Sequence, residues 1–382
     1  MLRAIALICL ALPAEAQEVT VAWLRQQVPP PPVLTEQEEI PADRGLAGAR
    51  LAMEDNATTG RFMGQAWTLS EHEVPPGGDL DAAAREALAA TPFVVLDMPE
   101  ADVLRVADLP EAAGAILLNA ASGRTALRDA DCRANLLHAM PSDAMRADAL
   151  MQHLVSRRWT DLAMLTGSHP DDLAFAEALR RSAAKFGLRL RSEKGWDTSG
   201  DFRRAAAAEV PLLTQDLRDH DVLLVADEIG DWARFVLFNQ WSPRPVAGSE
   251  GMTPTAWSPV LEQWGAAQLQ SRFRDLAARP MGPRDYAAWA SIRALGEAVT
   301  RTGSAEPATI RAYLLGPEFE LAGFKGRPLT FRSWNGQMRQ PIALAHERAV
   351  VALAPLEGFL HQRNELDTLG LDERESECAA YR

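Results

Sequence analysis

The sequence has 382 residues and carries 39 lysines and arginines against 52 aspartates and glutamates, a formal net charge of −13. A balance this acidic argues against nucleic acid and anionic membrane surfaces as partners. The length suits two domains of ordinary size, each able to bury its own core. After the first residues no stretch approaches the ~18 uninterrupted apolar residues of a membrane span, so we expect a soluble, exported protein.

Residues 1–16 have the pattern of a cleaved secretory signal. Arg3 precedes an apolar run from Ala4 to Leu12, and small residues end at Ala16. Cys9 lies inside the apolar run rather than at a cleavage point, so the pattern does not favour a lipoprotein. Cleavage near Ala16 would leave a mature chain that begins at residue 17.

Strand and helix signals alternate from there onward. A strand is predicted at 19–23 and a helix from 43, with apolar residues spaced by three and four. Between them, residues 26–41 form a long loop rich in proline and glutamate, where α/β connections are normally short. This loop either covers a site or contacts a partner, or it is a solvated surface insertion.

Further units follow in the same alternation. The later predicted strands are at 66–74, 92–97, from 112, at 161–166, 188–192, 221–226 and 245–251. The later predicted helices are at 79–90, from 99, at 144–158, 171–186, 201–213 and 230–240. Such alternation, twice over, predicts an α/β fold with two doubly wound parallel-sheet lobes and a site in the cleft where their strand ends face each other.

The strand that begins at Ala112 is uniformly apolar, which indicates helices on both of its faces. It runs into the small and polar residues Asn119-Ala-Ala-Ser-Gly. Because ligands of open α/β sheets bind beyond the carboxyl ends of strands, these backbone N–H groups and the serine hydroxyl suit a small polar or anionic ligand. The alternative is a tight strand-to-helix turn without a ligand.

Several phrases, in order, resemble the type I periplasmic solute-binding proteins of ABC importers, specifically the branched-chain amino-acid binders. Residues 119–122 match that family's Ala-Ala-Thr turn, and Gly248-Ser-Glu-Gly matches its Gly-Pro-Glu-Gly. Residues 286–302 resemble its long helix ending in Arg-Thr-Gly. Leu329-Thr-Phe followed by Trp334-Asn-Gly resembles its terminal hairpin. The resemblance covers essentially the whole mature chain.

This resemblance implies two lobes that close around a ligand by a hinge motion, with three chain crossings between them. It implies a first lobe made of residues 17–141 and 260–323, and a second made of 142–259 and 324–352, followed by a tail at 353–382. A monomeric periplasmic protein is expected, with a small-molecule ligand, an ABC permease as its membrane partner, and no cofactor.

In the amino-acid binders the turn that matches Ala120, Ala121 and Ser122 holds the ligand carboxylate, and the glutamate that matches Glu250 holds its ammonium group. Both contacts are physically reasonable, because oriented neutral donors bind an anion and a buried carboxylate pairs with one ammonium. The alternative for Glu250 is a helix-capping or surface carboxylate.

Other family positions do not match, which puts branched-chain amino-acid specificity in doubt. Asp97-Met-Pro-Glu stands where the family has small hydroxyl residues, and Gly167-Ser-His and Asp227-Glu-Ile stand where it has tyrosines. These acids would make the pocket more negative and suited to a cationic or hydroxylated ligand. The predicted ligand-binding residues are Asp97, Ala120, Ala121, Ser122, Ser168, His169, Asp227, Glu228 and Glu250.

The acids of 169–172 and 227–228 could hold a divalent metal ion, since carboxylate oxygens at strand ends suit such an ion. Helix N-termini commonly carry acids, and nothing resembles a calcium loop, so no metal is predicted. The motifs of serine hydrolases, zinc proteases and nucleotide-binding enzymes are absent from the sequence, and an enzyme is not predicted.

The C-terminal phrases at 334–341, 355–361 and 364–370 look like those of binding proteins associated with pyrroloquinoline-quinone-dependent alcohol oxidation. That resemblance implies a link to the pathway, with a periplasmic quinoprotein dehydrogenase as a further partner, and no binding of the quinone itself. The alternative to a transport component is an accessory, sensor or scaffold protein that keeps the fold. Stabilisation by a small molecule would discriminate, because a binder is stabilised by mass action.

After signal cleavage Cys132 and Cys378 remain, an even pair in an oxidising compartment. They predict one long-range disulfide, with two unpaired thiols as the alternative. The tail from Glu365 is acidic and almost without apolar residues after Leu371, so burial alone would leave it frayed. A disulfide would tie it down near the crossover between the lobes.

Overall fold

The computed structural model describes residues 16–29, 40–196 and 202–381. The predicted signal at 1–16 lies outside these residues except for its last position, as do residues 30–39 of the acidic loop and the first residue of the predicted helix at 201–213. Within the described ranges, no helix has both the length and the apolar character needed to span a bilayer.

The first lobe is built on a five-stranded parallel sheet with the strand order β2-β1-β3-β4-β5. Its strands are β1 (Gln17–Gln26), β2 (Gln65–Val74), β3 (Phe93–Asp97), β4 (Ile116–Asn119) and β5 (Leu136–His138). The helices between them are α1 (Leu46–Met63), α2 (Leu80–Ala90) and α3 (Glu100–Ala107). β3 and β4 are buried along their whole length, as their continuous apolar sequences predict.

The second lobe has a four-stranded parallel sheet with the order β7-β6-β8-β9. Its elements are α4 (Asp143–Arg157), β6 (Asp161–Thr166), α5 (Pro170–Lys185), β7 (Arg189–Gly195), α6 (Phe202–Thr214), β8 (Val222–Ala226) and β9 (Val246–Gly248). Both sheets are doubly wound, so the predicted fold class of two parallel α/β lobes is confirmed.

The rest of the chain returns to the first lobe and then to the second. Its elements are β10 (Thr253–Thr255), α7 (Ala266–Ala277), α8 (Pro283–Thr302), α9 (Pro307–Leu314), β11 (Leu321–Ala322), β12 (Pro328–Phe331), β13 (Met338–Arg339), β14 (Ile342–His346) and β15 (Ala349–Ala354). The helix α8 packs along α1, and β10, β14 and β15 form a small antiparallel sheet.

The two apolar cores show where the chain passes between the lobes. The first core ends at Met140, resumes at Trp257 and ends again at Met338, while the second takes over at Met145 and at Ile342. The third crossing therefore lies later than the 323–324 boundary that the resemblance implied. The reason is that the hairpin side chains of β12 pack into the first core, so we draw the third boundary after 338.

The predicted helix at 230–240 is wrong. The chain there makes turns around a short 3₁₀ segment at Ala233–Phe235. The backbone leaves helical geometry at Gly230, with φ of 72°, and at Trp232, with φ of −130°, and the carboxylate of Asp227 holds this turn by accepting hydrogen bonds from the N–H groups of residues 230–233 at 2.7–3.2 Å. Four hydrogen bonds from consecutive amides to one carboxylate fix this segment as a non-helical turn.

The predicted disulfide between Cys132 and Cys378 is confirmed, with the two Cα atoms 5.6 Å apart. The tail before it is also held by burial and by charge. Leu366 and Leu369 are buried, and the fully buried Arg332 donates to both of their carbonyl oxygens and to the carboxylate of Asp367. The tail is therefore ordered by more than its covalent tie.

Candidate functional site

The carboxyl ends of the first lobe's strands meet at one edge of its sheet. Arg25 of β1 lies opposite Asp97 of β3 in the register, and Asn119 of β4 lies opposite both Leu96 and His138. Neighbouring strands are about 4.8 Å apart, so these strand ends form one continuous surface. This surface is the first-lobe side of the candidate site.

The turn after β4 is organised by the buried side chain of Asn119. Its Oδ1 accepts hydrogen bonds from the amides of Ala121 at 3.1 Å and Ser122 at 2.9 Å, and its Nδ2 donates to the Ser122 carbonyl at 2.8 Å. The amide of Ala120 donates to the Leu96 carbonyl at 3.0 Å. All three amides assigned to a ligand carboxylate are thus used within the lobe, and ligand contact by these residues stays a prediction.

Asp97 lies at the centre of an arginine cluster, which we define as Arg25, Arg44 and Arg284. The side chain of Asp97 is 2% exposed. Its Oδ2 lies 3.5 Å from Nε of Arg25, and its Oδ1 accepts a hydrogen bond from Nη1 of Arg284 at 3.3 Å. Burial raises the pKa of Asp97, and the nearby arginines oppose that rise. The predicted ligand residue Asp97 is therefore occupied by ion pairs inside its own lobe.

Arg44 immediately precedes Gly45, the N-cap of α1. Burial, then the positive charge of Arg284, lower the pKa of Arg44 to about 10, against the attraction of Asp97. From the sequence we expected a negative pocket. At the strand ends of the first lobe this expectation is wrong, because arginines outnumber acids there. Three guanidinium groups, contributed by the end of β1, the start of α1 and the start of α8, surround one carboxylate.

The second-lobe side is formed by the ends of β6, β8 and β9. Ser168 and His169 are exposed in the turn after β6. His169 is the N-cap of α5: its Nδ1 accepts from the amide of Asp171 at 3.2 Å, while Asp172 accepts from the His169 amide at 3.1 Å. The side chains of His169 and Asp172 cap α5, and ligand contact by Ser168 and His169 stays a prediction.

Glu228 makes a bidentate ion pair with Arg146 of α4, with donor–acceptor distances of 2.6 and 3.0 Å. Ser249 donates its hydroxyl to the same carboxylate at 2.7 Å. Although burial opposes it, the charge of Arg146 lowers the pKa of Glu228. Both Asp227, whose carboxylate holds the 230–233 turn, and Glu228 thus have internal partners, and their predicted ligand contacts are untested.

Glu250 follows β9 and is half-buried. Its Oε1 accepts a hydrogen bond from the adjacent Gly251 amide at 3.1 Å. Within the described residues this is its single recorded hydrogen bond. Glu250 is accordingly the least engaged of the predicted acids of this lobe, and its predicted role as a ligand contact remains untested.

Several other acids of the second lobe have pKa values that lie well above those of free carboxylic acids. Burial raises the pKa of Asp143 and of Asp172 to about 6. Burial and the neighbouring charge of Asp227 raise the pKa of Asp231 to about 7. No group of three or more metal-ligating side chains occurs in the described part of the chain. Asp143 and Asp172 are stabilised as acceptors, from Arg146 at 3.2 Å and from the Glu228 amide at 2.6 Å.

Arg124 joins the two lobes across the cleft. From the first-lobe turn after β4 it donates to the carbonyl of Pro170 at 3.0 Å and to the carboxylate of Asp171 at 2.6 Å, both at the start of α5. Its Nε also lies 3.8 Å from Glu100. A cavity of about 540 Å³ beside this contact is lined by the 124–126 turn, α4, α5 and the tail at 370–375.

None of the three arginines was predicted from the sequence as a site residue, although their positions at a strand end and at helix starts were visible there. Arg25 lies near the end of the first strand, Arg44 just before the first helix, and Arg284 in the first turn before the long helix predicted from 286. In a parallel α/β sheet all three positions fall at the carboxyl edge. Counting charges at every strand end and helix start would have found them.

No family model matches the sequence, and no curated protein matches it. The fold is nevertheless shared with solved structures. A periplasmic binding protein from Burkholderia mallei aligns over 96% of this chain and 100% of its own, with a TM-score of 0.69 and 15% identity. A branched chain amino acid ABC transporter periplasmic ligand-binding protein from Burkholderia xenovorans aligns over 95% and 100%, with a TM-score of 0.71 and 14% identity.

A third similar structure is an ABC transporter solute binding protein from R. palustris in complex with benzoate. It aligns over 94% of this chain and 99% of its own, with a TM-score of 0.64 and 13% identity. At these identities the likeness establishes the fold. The chain has the architecture of the type I periplasmic binding proteins over almost its full length.

Proposed function

We propose that this chain is the periplasmic solute-binding component of an ABC-type importer. It binds a small polar organic solute between its two lobes and presents the solute to a membrane permease. The observation that carries the proposal is the pair of charged strand-end surfaces in two lobes of this fold, joined across the cleft by Arg124 and Asp171. A site split between two hinged bodies couples ligand binding to closure.

The similar structures support this class of ligand. The R. palustris protein was solved with benzoate, and a protein from Desulfitobacterium hafniense that aligns over 88% of this chain, with a TM-score of 0.63, was solved with Leu. Both ligands are small organic molecules with one carboxylate. The proposed partners are accordingly a small molecule and a permease, with the chain itself acting as a monomer without catalytic activity.

The proposed contacts from opposite lobes are Ser122 and Glu250. If both touch the solute, Ser122→Ala and Glu250→Gln should each weaken binding by about 1–3 kcal/mol and leave the melting temperature of the unliganded protein nearly unchanged. Calorimetric titration measures the affinity. Unaltered affinity in both variants would remove these residues from the site.

The test of the function is mass spectrometry of the native protein for co-purifying solutes, followed by a thermal-shift panel of amino acids, alcohols, aldehydes and carboxylates. A binding protein is stabilised by its ligand through mass action. A chain that carries no solute and gains no stability from any compound would instead favour the accessory, sensor or scaffold role in alcohol oxidation.

We further propose the link to pyrroloquinoline-quinone-dependent alcohol oxidation and to a quinoprotein dehydrogenase, for which the C-terminal sequence phrases are the support. Deletion of the gene should then impair growth of the source bacterium on ethanol and leave growth on glucose intact. Equal growth of the deletion strain on both carbon sources would count against the link.

A further inference from the structure

The arginine cluster carries more positive charge than its surroundings neutralise. Arg25, Arg44 and Arg284 share the single carboxylate of Asp97. Two further acids nearby are paired with Arg279, which donates to the carboxylate oxygens of Asp285 at 2.8 and 2.9 Å and to Oδ1 of Asp43 at 2.9 Å. Among the described residues, the four cations of this region, Arg279 included, face three carboxylates, which leaves one positive charge in excess at the end of the first-lobe sheet.

One of these cations has an unused donor. Nε of Arg44 is buried and has no hydrogen-bond partner within the described chain. A buried donor left unpaired is costly, more so when it belongs to a charged group. The neighbouring cations add to this, because burial and the charge of Arg284 lower the pKa of Arg44. An anion placed here would accept a hydrogen bond from Nε of Arg44 and would offset the repulsion between Arg44 and Arg284.

The N-terminus of α1 adds to the same field. Its N-cap, Gly45, has no side chain to cap the helix, its amide donates to Oδ1 of Asp285 at 2.7 Å, and the first turn of the helix contains no acid. A Cβ on Gly45 would lie 3.3 Å from Oδ2 of Asp97, so this helix start is directly beside the cluster. The dipole of a helix start favours a negative charge, and Asp285 supplies part of it here through the Gly45 amide.

The cluster is held in place and is reachable. Arg25 donates to the carbonyl of Ala42 at 2.5 Å, which fixes the approach to α1, and its side chain is 13% exposed. Arg284 is the more accessible member at 37% exposed. Asp97 is thus a positioning residue for Arg25 and Arg284. In contrast, the amides of the Asn119 turn are used by that asparagine and offer an anion little.

We propose that Arg44 and Arg284 bind the carboxylate of the solute and that the solute is an organic acid. This inference rests on the proposed solute-binding function and names its ligand class and first-lobe contacts. Guanidinium groups recognise carboxylates through paired, charge-assisted hydrogen bonds, which neutral alcohols, aldehydes and amides cannot replace. The anion is held by side chains at the starts of α1 and α8 instead of by the amides of the turn after β4, which leaves the hydroxyl of Ser122 as that turn's proposed contact.

The test compares wild type with Arg44→Gln and Arg284→Gln. The matched control is Arg61→Gln, an exposed arginine at the opposite end of α1. The probes are sodium benzoate, sodium succinate and sodium acetate, with sodium chloride at equal ionic strength and with benzamide as the neutral counterpart of benzoate. Thermal shift and calorimetry report binding, and any co-purified acid identified by mass spectrometry is added to the panel.

We expect at least one carboxylate to bind wild type and Arg61→Gln equally, and to bind Arg44→Gln and Arg284→Gln about tenfold or more weakly. Benzamide and chloride should give no shift. Two results would overturn the inference: carboxylate binding that both cluster variants retain, or a panel in which no carboxylate, acetate included, stabilises wild type more than chloride does.

The two proposals fail differently. If a neutral or cationic solute binds in the cleft, the solute-binding function stands and the organic-acid inference falls. If neither the mass spectrum nor any probe reveals a ligand, the solute-binding function itself falls. Since the two cluster variants alter different elements, a folding defect in one, detected as a lowered melting temperature without ligand, leaves the other to decide.

Discussion

Charges with little solvent exposure in the second lobe are tied to specific partners, and Arg146, whose side chain is 17% exposed, is the clearest example. It forms the bidentate pair with Glu228 and also donates to Asp143 at 3.2 Å. Removing one member of a buried ion pair leaves the others without compensation. At this scale, stability depends on whether each buried charge keeps its partner rather than on how many ion pairs there are.

We expect Arg146→Met to lower the free energy of unfolding by about 3–5 kcal/mol, because it strands two carboxylates in the lobe. Urea unfolding measures the loss. The control is Arg85→Met, which removes the half-exposed ion pair with Glu111 and should cost at most about 1 kcal/mol. A loss in Arg146→Met as small as in the control would show that the buried pair contributes nothing net.

Asp143 gives a pH dependence with a definite sign. Burial raises its pKa from 3.8 to about 6, so the native state holds a proton that the unfolded state releases. The contribution of this group is therefore full below pH about 4 and is lost as the pH rises through about 6. Asp143→Asn should remove this fall, a difference of up to about 3 kcal/mol at neutral pH.

Urea unfolding of wild type and Asp143→Asn across this pH range tests the expectation. The two curves should diverge steadily as the pH rises from about 4 to about 6, with the variant becoming relatively more stable. Parallel curves would mean that the Asp143 carboxylate titrates in the folded chain as it does in the unfolded one.

Among the elements, the turn after β4 depends on one side chain. Asn119 is fully buried and makes four hydrogen bonds, three within the turn and one with Nδ1 of His138 at 3.2 Å. Burial and the charge of Arg128 lower the pKa of His138 well below its usual value, so the neutral ring accepts from Asn119. The asparagine thus fixes the conformation of a strand end that borders the cleft.

Asn119→Ala should lower the free energy of unfolding by about 2–3 kcal/mol, because it leaves buried donors and acceptors unpaired. Gln268→Ala, at an exposed position of α7, is the control and should stay within about 0.5 kcal/mol. Hydrogen exchange of the Ala121 and Ser122 amides provides a local readout, and these amides should lose protection in Asn119→Ala. Wild-type protection in the variant would contradict the role of the asparagine.

The sequence was most informative where burial alone decides structure. The apolar runs of β3, β4 and β8 predicted the parallel sheets, because a strand covered on both faces needs no polar alternation. It was least informative where a polar side chain stabilises a non-helical turn, as Asp227 does at 230–233. We expected a negative site because the arginines were not counted. Arg44 and Arg284 reach the strand ends from the starts of two helices that lie far apart in sequence.

At the scale of the whole molecule, the C-terminal tail connects the two lobes. On the second lobe, the Gly370 amide donates to Asp148 at 2.8 Å, and Lys185 donates to the Gly370 carbonyl at 2.9 Å. On the first lobe, the disulfide ties Cys378 to Cys132, and the hydroxyl of Tyr381 donates to the carbonyl of Leu136. A segment fixed to both hinged bodies limits how far they separate.

The disulfide between Cys132 and Cys378 closes a very long loop of the chain. The cysteines are 246 residues apart, and the chain-entropy model gives roughly 5 kcal/mol for closing so long a loop. Cys132→Ser/Cys378→Ser should lower the free energy of unfolding toward that amount. Some of the tail's order should survive, because the contacts of Arg332 with Asp367 and with the Leu366 and Leu369 carbonyls are independent of the bridge.

The same variant should change the shape of the unliganded protein. With the tail released from the first lobe, the two lobes can separate further, so small-angle scattering should report a larger radius of gyration than for wild type. Reductant should reproduce both effects in wild type and have none in the double variant, which separates the disulfide from side effects of the serines. An unchanged radius of gyration together with lowered stability would mean that the bridge stabilises the tail without restraining the hinge.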